Sequence, residues 1–125
     1  MRLLLDTHVL LWWMDDSADL QPKARNAIAD SENLVYLSAV TVWEIVVKRA
    51  LGKLDIPDNW KDILDNESFR RLPVTCEHAL GLEKLPDLHR DPFDRLLLAQ
   101  AITDDLVLVT HDETMLRYTV RTLRT

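Results

Sequence analysis

Two aspartates three residues apart open the segment HRDPFDRLLLAQA, residues 89 to 101. Asp91 precedes Pro92, an order typical of a helix in which Asp91 caps the N-terminus and Pro92 takes the first position. Asp94 then falls at the third helical position, where an acid can complete a capping box. The residues three, four and seven positions after Asp94 are apolar, so its face of the helix must pack inward. We therefore interpret Asp91 as the cap and Asp94 as a functional acid.

Three further acids occupy positions that could serve the same chemistry. Asp6 ends the apolar segment RLLLD, and Asp112 comes just after LVLVT, so both are expected to follow buried strands. For each of these two, helix capping and a functional role remain equally open. Glu44 lies in the apolar segment AVTVWEIVVKRALG, where an unpaired buried carboxylate is costly. It forms an ion pair with Lys48 one turn later or serves a site, and we favour the site.

Four carboxylates that converge repel one another unless a cation lies between them. Ligand sets made only of oxygen favour Mg²⁺ or Mn²⁺ over zinc. A carboxylate-bound Mg²⁺ in a cleft is a common apparatus for phosphodiester hydrolysis, in which a metal-activated water attacks phosphorus in line. The acids Asp6, Glu44, Asp94 and Asp112 thus predict metal-dependent cleavage of a phosphodiester.

The elements that must position these acids alternate along the chain between strand-like and helix-like segments. Strands are predicted at residues 2–6, 34–38, 69–74, 106–110 and 119–123. Helices are predicted at 8–16, from Pro22 through about Glu32, at 39–52 with Gly52 at the end, from Pro57 as a short amphipathic helix that carries Trp60, at 75–85, and from Pro92 to about Thr103. For residues 39–52 a strand is the open alternative, because β-branched residues are frequent there. Such alternation indicates parallel strands with helices on both faces, and it places the carboxyl ends of the strands at one edge.

Composition bounds the class of protein. The 125 residues, 47% hydrophobic and 29% charged, suit one globular domain, and no apolar run approaches the roughly 18 residues of a membrane span. Asp6 interrupts the apolar N-terminus and no cleavage site of small residues follows, so we do not predict a signal peptide. Cys76 is the only cysteine, which excludes a disulfide framework and fits a reducing cytoplasm. The net charge of -6 disfavours a passive nucleic-acid binder but not an enzyme whose acids hold a divalent cation.

The segments that carry the acids resemble those of the PIN-domain ribonucleases, specifically the toxins of VapBC toxin–antitoxin pairs. They are LLLDTHVLLWW, the helix around Glu44, HRDPFDRLLLAQA and LVLVTHD, in the order and spacing of that family. The resemblance covers essentially the whole chain and implies a single PIN domain over residues 1–125. It implies a three-layer α/β/α fold with a central, mostly parallel sheet of four to five strands. It also implies a Mg²⁺-dependent (or Mn²⁺-dependent) endoribonuclease, the toxin of a type II pair, whose catalytic and metal-binding acids are Asp6, Glu44, Asp94 and Asp112.

The resemblance further implies supporting residues and partners. Thr7 and Thr110 match positions that usually support the metal shell through hydroxyl hydrogen bonds. The implied partners are an RNA substrate and a cognate VapB-type antitoxin, with a homodimer that can enter a higher toxin–antitoxin assembly, and no membrane. In the family an antitoxin segment lies across the early helices, near Trp12 and Trp13. His8 occupies a position that varies in the family and takes no role from it, and the same holds for His111.

Other basic residues admit more than one interpretation. Arg95 contacts a substrate phosphate, or it is a solvated helix residue or the ion-pair partner of a site acid. The basic patch of Lys48, Arg49 and Lys53 follows an RNA backbone, or it is a solvated helix end with favourable charge.

The aromatic and histidine side chains carry weaker signals. We expect at least one of Trp12 and Trp13 to point away from the core, as aromatic anchors of an interface do. The four histidines show no metal-ligand spacing in the sequence: His8, His78, His89 and His111. His111 contacts RNA or is a loop residue.

Three alternative functions are compatible with an α/β chain that carries acids. A phospho-accepting signalling receiver needs an acid pair after the first strand and a lysine after the last, but here Thr7 and His8 follow Asp6 and the last strand carries no lysine. A phosphatase of the haloacid dehalogenase type needs a second Asp two residues after Asp6, where His8 stands. A catalytically inactive PIN-fold binding module is disfavoured because all four acids are present.

Overall fold

Five parallel strands form one sheet in the order β3–β2–β1–β4–β5. The computed structural model describes residues 1–125. The strands are β1 (Arg2–Leu5), β2 (Leu34–Ser38), β3 (Arg70–Leu72), β4 (Val107–Thr110) and β5 (Thr122–Arg124). Because β1 is central and pairs with both β2 and β4, the chain reverses its direction of winding there. Such a point is where α/β sheets place their sites, at the carboxyl ends of the strands.

Six helices surround the sheet, joined by short connections. They are α1 (Thr7–Met14), α2 (Pro22–Ala29), α3 (Ala39–Ala50), α4 (Trp60–Asp65), α5 (Cys76–Gly81) and α6 (Pro92–Thr103). The chain also forms two single turns of 3₁₀ helix, one directly after α5 at Leu82–Lys84 and one between β4 and β5 at Met115–Arg117. None of the helices has the length and apolar character that crossing a membrane requires.

The core has two halves, one on each face of the sheet. Leu3 and Leu5 of β1 belong to the larger apolar cluster, whereas Leu4 belongs to the smaller one, as the alternation of side chains along a strand demands. Strand β4 divides in the same way, with Val107 and Val109 on one face and Leu108 on the other. The structure therefore confirms the predicted three-layer α/β/α arrangement with a parallel central sheet.

Helix α3 confirms the helical interpretation of its β-branched segment. The Ser38 hydroxyl accepts a hydrogen bond from the backbone N–H of Val40 at 2.9 Å and caps the helix. Two residues past the end, Gly52 takes the left-handed conformation with φ 70° that ends many helices. Capping and packing therefore override the modest strand preference of these residues.

Several boundaries differ from the sequence-based expectation. Helix α2 ends at Ala29, not near Glu32, because Asp30 already has extended backbone angles. The predicted helix from Pro57 begins only at Trp60, after a turn in which the Trp60 N–H donates to the Pro57 carbonyl at 3.0 Å.

Two further boundaries lie in the C-terminal half of the chain. The helix predicted over 75–85 ends at Gly81 and continues as a 3₁₀ turn. Strand β5 is shifted toward the C-terminus of its predicted range, because Val120 closes a tight turn onto the Tyr118 carbonyl.

Candidate active site

A cleft of about 440 Å³ at the carboxyl edge of the sheet collects the four predicted acids. Asp6 directly follows β1, and Asp112 comes two residues after β4. Glu44 enters from the middle of α3, and Asp94 from the first turn of α6. The remaining lining residues are Thr7, His8, Trp12, Lys48, His89, Asp91 and His111.

Asp6 occupies the capping position of α1, but its side chain does not cap that helix. Its Oδ2 accepts a hydrogen bond from the Thr110 hydroxyl at 2.8 Å, which ties the ends of β1 and β4 together. Burial raises the pKa of Asp6, although the bond from Thr110 acts in the opposite direction. This buried carboxylate is therefore held in place while its negative charge is poorly stabilised.

Glu44 is buried, and both of its oxygens are occupied. Oε1 accepts from the Thr7 hydroxyl at 2.7 Å, and Oε2 pairs with the Lys48 ammonium. Both interpretations of Glu44 are thus compatible, because the ion pair exists and the carboxylate also lines the cleft. Partial burial acts to lower the pKa of Lys48, but the hydrogen bond and charge of Glu44, with the charges of Asp91 and Asp94, together raise it.

Asp91 caps α6 as the sequence predicted, and Asp94 lines the cleft. The Asp91 carboxylate accepts from the Asp94 backbone N–H at 3.0 Å and caps α6. Asp94 does not return this bond, as a capping box would require, because the Asp91 N–H faces the His89 ring. Burial, and to a smaller extent the charges of Asp6 and Asp91, together raise the pKa of Asp94 to about 7. The cleft therefore stabilises the negative charge of Asp94 poorly.

Asp112 combines capping with a place in the cleft. Its Oδ1 accepts from the backbone N–H groups of Thr114 at 2.8 Å and Met115 at 3.0 Å. Its Oδ2 lies 3.5 Å from Nε2 of His89. One oxygen thus fixes the loop after β4, and the other points toward the remaining acids.

His89 lines the cleft, a position that the sequence did not predict. Its Nε2 lies 2.7 Å from Oδ2 of Asp94, and these two residues with Asp112 present possible metal-ligand atoms within 4.8 Å of one another. His89, to which the sequence assigned no role, therefore lies between two of the predicted site acids. Ligand spacing along the chain could not reveal it, because the loop before α6 folds back over the helix N-terminus. The available signal was its position two residues before the cap Asp91.

Arg95 does not line the cleft, and the interpretation that it pairs with a site acid is wrong. Its Nη1 donates to the carbonyl oxygens of Pro86 at 3.1 Å and His89 at 3.3 Å. It also lies 3.4 Å from the Tyr118 hydroxyl. Arg95 therefore holds the loop that carries His89, and its contact with a substrate phosphate stays a prediction.

The predicted basic patch on α3 is divided between two environments. Lys48 lines the cleft beside Glu44, whereas Arg49 forms an ion pair with Asp58 outside it. Lys53 is exposed beyond the end of the helix. Only Lys48 of the three is placed to meet a ligand of the cleft.

Trp12 and Trp13 are both half-buried against the larger core cluster, contrary to the expectation that one of them points away from it. The Trp13 indole N–H donates to Glu67 at 3.0 Å. Trp12 lines the acidic cleft and also a neighbouring groove of about 490 Å³. The most exposed indole is that of Trp43, 50% exposed, which contacts Phe93 edge to face.

The donor set of the cleft fits a divalent cation. Four carboxylates from four different elements face one space, and burial with mutual repulsion raises the pKa of two of them, Asp6 and Asp94. A divalent cation bound between them would relieve that repulsion, since a bound ion is the largest local charge in such a site. Oxygen donors in this number suit Mg²⁺ or Mn²⁺.

A model of the PIN domain family matches residues 3–120, and the chain therefore belongs to the PIN-domain family. It is 32% identical over 114 residues to Ribonuclease VapC22 of Mycobacterium tuberculosis, a match that covers 88% of this chain and 86% of the relative.

Solved structures agree with this fold. The VapBC2 complex of Rickettsia felis, bound to a DNA fragment from its promoter, matches with a TM-score of 0.76 at 14% identity and covers 100% of this chain and 99% of that chain. FitAcB of Neisseria gonorrhoeae matches with a TM-score of 0.64 at 26% identity over 98% of this chain and 96% of that chain.

Proposed function

We propose that this PIN-domain protein is a Mg²⁺- or Mn²⁺-dependent endoribonuclease and the toxin of a type II toxin–antitoxin pair. The observation that carries the proposal is the convergence of Asp6, Glu44, Asp94 and Asp112 in one cleft. Its substrate class is supported by the similarity to a VapC ribonuclease. Membership of the PIN family removes the reason to consider a signalling receiver. A catalytically inactive PIN module remains the alternative that experiment must exclude.

The four acids would hold the cation. When bound, it would lower the pKa of a water molecule and stabilise negative charge on the phosphodiester. The chain's own contribution is to keep the carboxylates in place: the Thr7 hydroxyl orients Glu44, and the Thr110 hydroxyl orients Asp6. Lys48 also lines the cleft, and its ammonium group can donate a charge-assisted hydrogen bond to a substrate phosphate.

An antitoxin is the proposed partner, and the groove beside the cleft is its proposed binding site. The groove is lined by apolar side chains of α1 and of the segment around α4: Leu11, Trp12, Met14, Ile56, Pro57 and Ile63. Trp12 lines both the groove and the cleft, so a peptide in the groove would lie next to the acids. The Rickettsia felis neighbour is itself a VapBC complex.

A homodimer is the proposed assembly, and a cytoplasmic location is proposed because the chain has one cysteine and no disulfide. Support for the dimer comes from one exposed stripe of α3, where residues at helical spacing are apolar: Ala39, Trp43, Val46 and Ala50. Such a stripe, which the chain's own core leaves uncovered, suits a helix of a second copy.

The direct test is cleavage of RNA by the purified protein. We expect a pool of structured RNAs to be cut at internal sites with Mg²⁺ or Mn²⁺ and to stay intact with EDTA, as sequencing of the new ends will show. Expression without an antitoxin should arrest growth, and Glu44→Gln, which keeps the size of the side chain but not its charge, should relieve the arrest. Soluble, unmutated protein that neither cuts RNA nor slows growth would indicate an inactive binding module.

A further inference from the structure

The His89 ring lies at the meeting point of two acids that the proposed cation would need. Its Nε2 is 2.7 Å from Oδ2 of Asp94 and 3.5 Å from Oδ2 of Asp112. The side chain is only 18% exposed, so this contact belongs to the interior of the cleft rather than to its rim. A cation bridging Oδ2 of Asp94 and Oδ2 of Asp112 would need the place beside both oxygens that Nε2 now occupies.

The backbone of the loop holds His89 there without help from the ring. The Tyr118 hydroxyl accepts from the backbone N–H groups of Leu88 at 3.2 Å and His89 at 2.8 Å. It also donates to the Pro86 carbonyl at 3.0 Å. The Arg95 guanidinium donates to the His89 carbonyl at 3.3 Å. The loop therefore delivers the imidazole to the cleft as a preorganised group, and changing the ring leaves these anchors intact.

The hydrogen bonds of the ring indicate which of its nitrogens carries the proton. The Asp91 backbone N–H donates to Nδ1 at 3.4 Å, so Nδ1 accepts through its lone pair and Nε2 is the nitrogen that carries a proton. Nε2–H then donates to Asp94. A metal-binding histidine has the opposite arrangement, with a lone pair toward the metal and the other N–H donated to an acceptor. The backbone N–H beside Nδ1 is the wrong partner for that role.

We propose that His89 competes with the divalent cation for Asp94, as an internal hydrogen-bond donor that a bound cation must displace. The inference rests on the proposed metal site. Donation from Nε2–H stabilises the site when no cation is bound, because it satisfies a carboxylate whose neighbours are also acids. The same bond must break when the cation takes its place. His89 therefore weakens metal binding, whereas a histidine ligand would strengthen it.

The competition predicts a particular order of metal affinities among variants of the full-length protein. His89→Asn keeps an acceptor near the place of Nδ1 and has no atom at the place of Nε2, so it removes the competing donor alone. We expect it to lower the Kd for Mn²⁺ about tenfold, since a hydrogen bond to a carboxylate contributes roughly 1.5 kcal/mol or more. His89→Gln places an amide N–H near the place of Nε2 and should keep a Kd close to that of the unmodified protein.

The experiment measures Mn²⁺ binding by calorimetry and by the electron paramagnetic resonance of free Mn²⁺, at one fixed pH and without RNA. His111→Asn is the matched control, because the His111 ring binds the Thr125 carbonyl and no site acid; its Kd should not change. Asp94→Asn reports on the metal site itself and should lose most of the binding.

Each outcome of this experiment decides between the ideas. Tighter binding by His89→Asn, with little change in His89→Gln and His111→Asn, supports the competition. Weaker binding by His89→Asn overturns it and makes His89 a ligand, while an unchanged Kd overturns it and leaves His89 a bystander. The proposed metal site survives both of those results. If the unmodified protein does not bind Mn²⁺, the metal site and the inference fail together.

Discussion

Asp91 and Asp94 lie within one turn of α6, yet their carboxylates do different work. The Asp91 carboxylate accepts a hydrogen bond from the Asp94 backbone N–H and so caps the start of α6. Asp94 lines the cleft, where burial together with the charge of Asp6 raises its pKa to about 7. A carboxylate in such surroundings gains most from a cation, so Asp94 is the more critical of the two for the proposed reaction.

This division predicts different outcomes for two substitutions that each remove one charge at similar volume. Asp94→Asn should abolish RNA cleavage, because it removes an acid of the proposed metal site. Asp91→Asn should retain most of it, because Asn caps a helix about as well as Asp. Initial rates on one RNA substrate at saturating Mg²⁺, with circular dichroism to confirm folding, measure both. Equal losses would contradict the assigned roles.

For individual residues, the sequence predicted the positions of the site acids better than the positions of the residues around them. Asp6 and Asp112 follow buried strands, and parallel strands bring their carboxyl ends to one edge, so their meeting could be anticipated. The position of His89 depends on hydrogen bonds to Tyr118, 29 residues away along the chain. Local pattern carries no information about such a contact. The same contact explains why Arg95 turns toward the loop rather than the cleft.

Among the elements, the loop between α5 and α6 has the least regular structure next to the site. Its backbone depends on one hydroxyl: that of Tyr118 accepts from two backbone N–H groups and donates to the Pro86 carbonyl. Regular helices and strands were predictable because their apolar periodicity is local. This loop was not, because a distant side chain satisfies its polar groups.

Tyr118→Phe should therefore loosen the loop without unfolding the domain. The change leaves the backbone N–H groups of Leu88 and His89 without a protein acceptor, which costs on the order of 1–3 kcal/mol where these groups stay buried. We expect faster amide hydrogen exchange at these two residues and slower RNA cleavage. Tyr36→Phe is the matched control, because no hydrogen bond of the Tyr36 hydroxyl supports this loop. Unchanged exchange at Leu88 and His89 would show that Arg95 holds the loop alone.

For the whole molecule, the acidic cleft is a cost to stability that depends on pH. Burial raises the pKa of Asp94 to about 7 and also raises that of Asp6. An acid whose pKa is higher in the folded state binds its proton more tightly there than in the unfolded chain. The stabilisation that comes from this tighter proton binding is fully present below about pH 4, the ordinary pKa of Asp. It is lost as the pH rises through about 7, the pKa of Asp94 in the folded protein. With EDTA present, the protein should therefore become less stable across this range.

Asp94→Asn removes that dependence and makes the prediction quantitative. In EDTA the variant should match the unmodified protein near pH 4 and exceed its free energy of unfolding at pH 7.5 by about 2 kcal/mol. The full shift of Asp94 would give roughly 4 kcal/mol at about 1.4 kcal/mol per pKa unit, and we halve it because Asp94 shares the repulsion with Asp6.

Millimolar Mn²⁺ acts in the opposite direction, because a ligand of the folded state alone stabilises by mass action. It should raise the melting temperature of the unmodified protein at pH 7.5 and scarcely change that of the variant. Urea unfolding at both pH values, with thermal melts in EDTA and in Mn²⁺, tests both effects; a variant that is less stable in EDTA and responds normally to Mn²⁺ would make Asp94 a structural residue of the helix start.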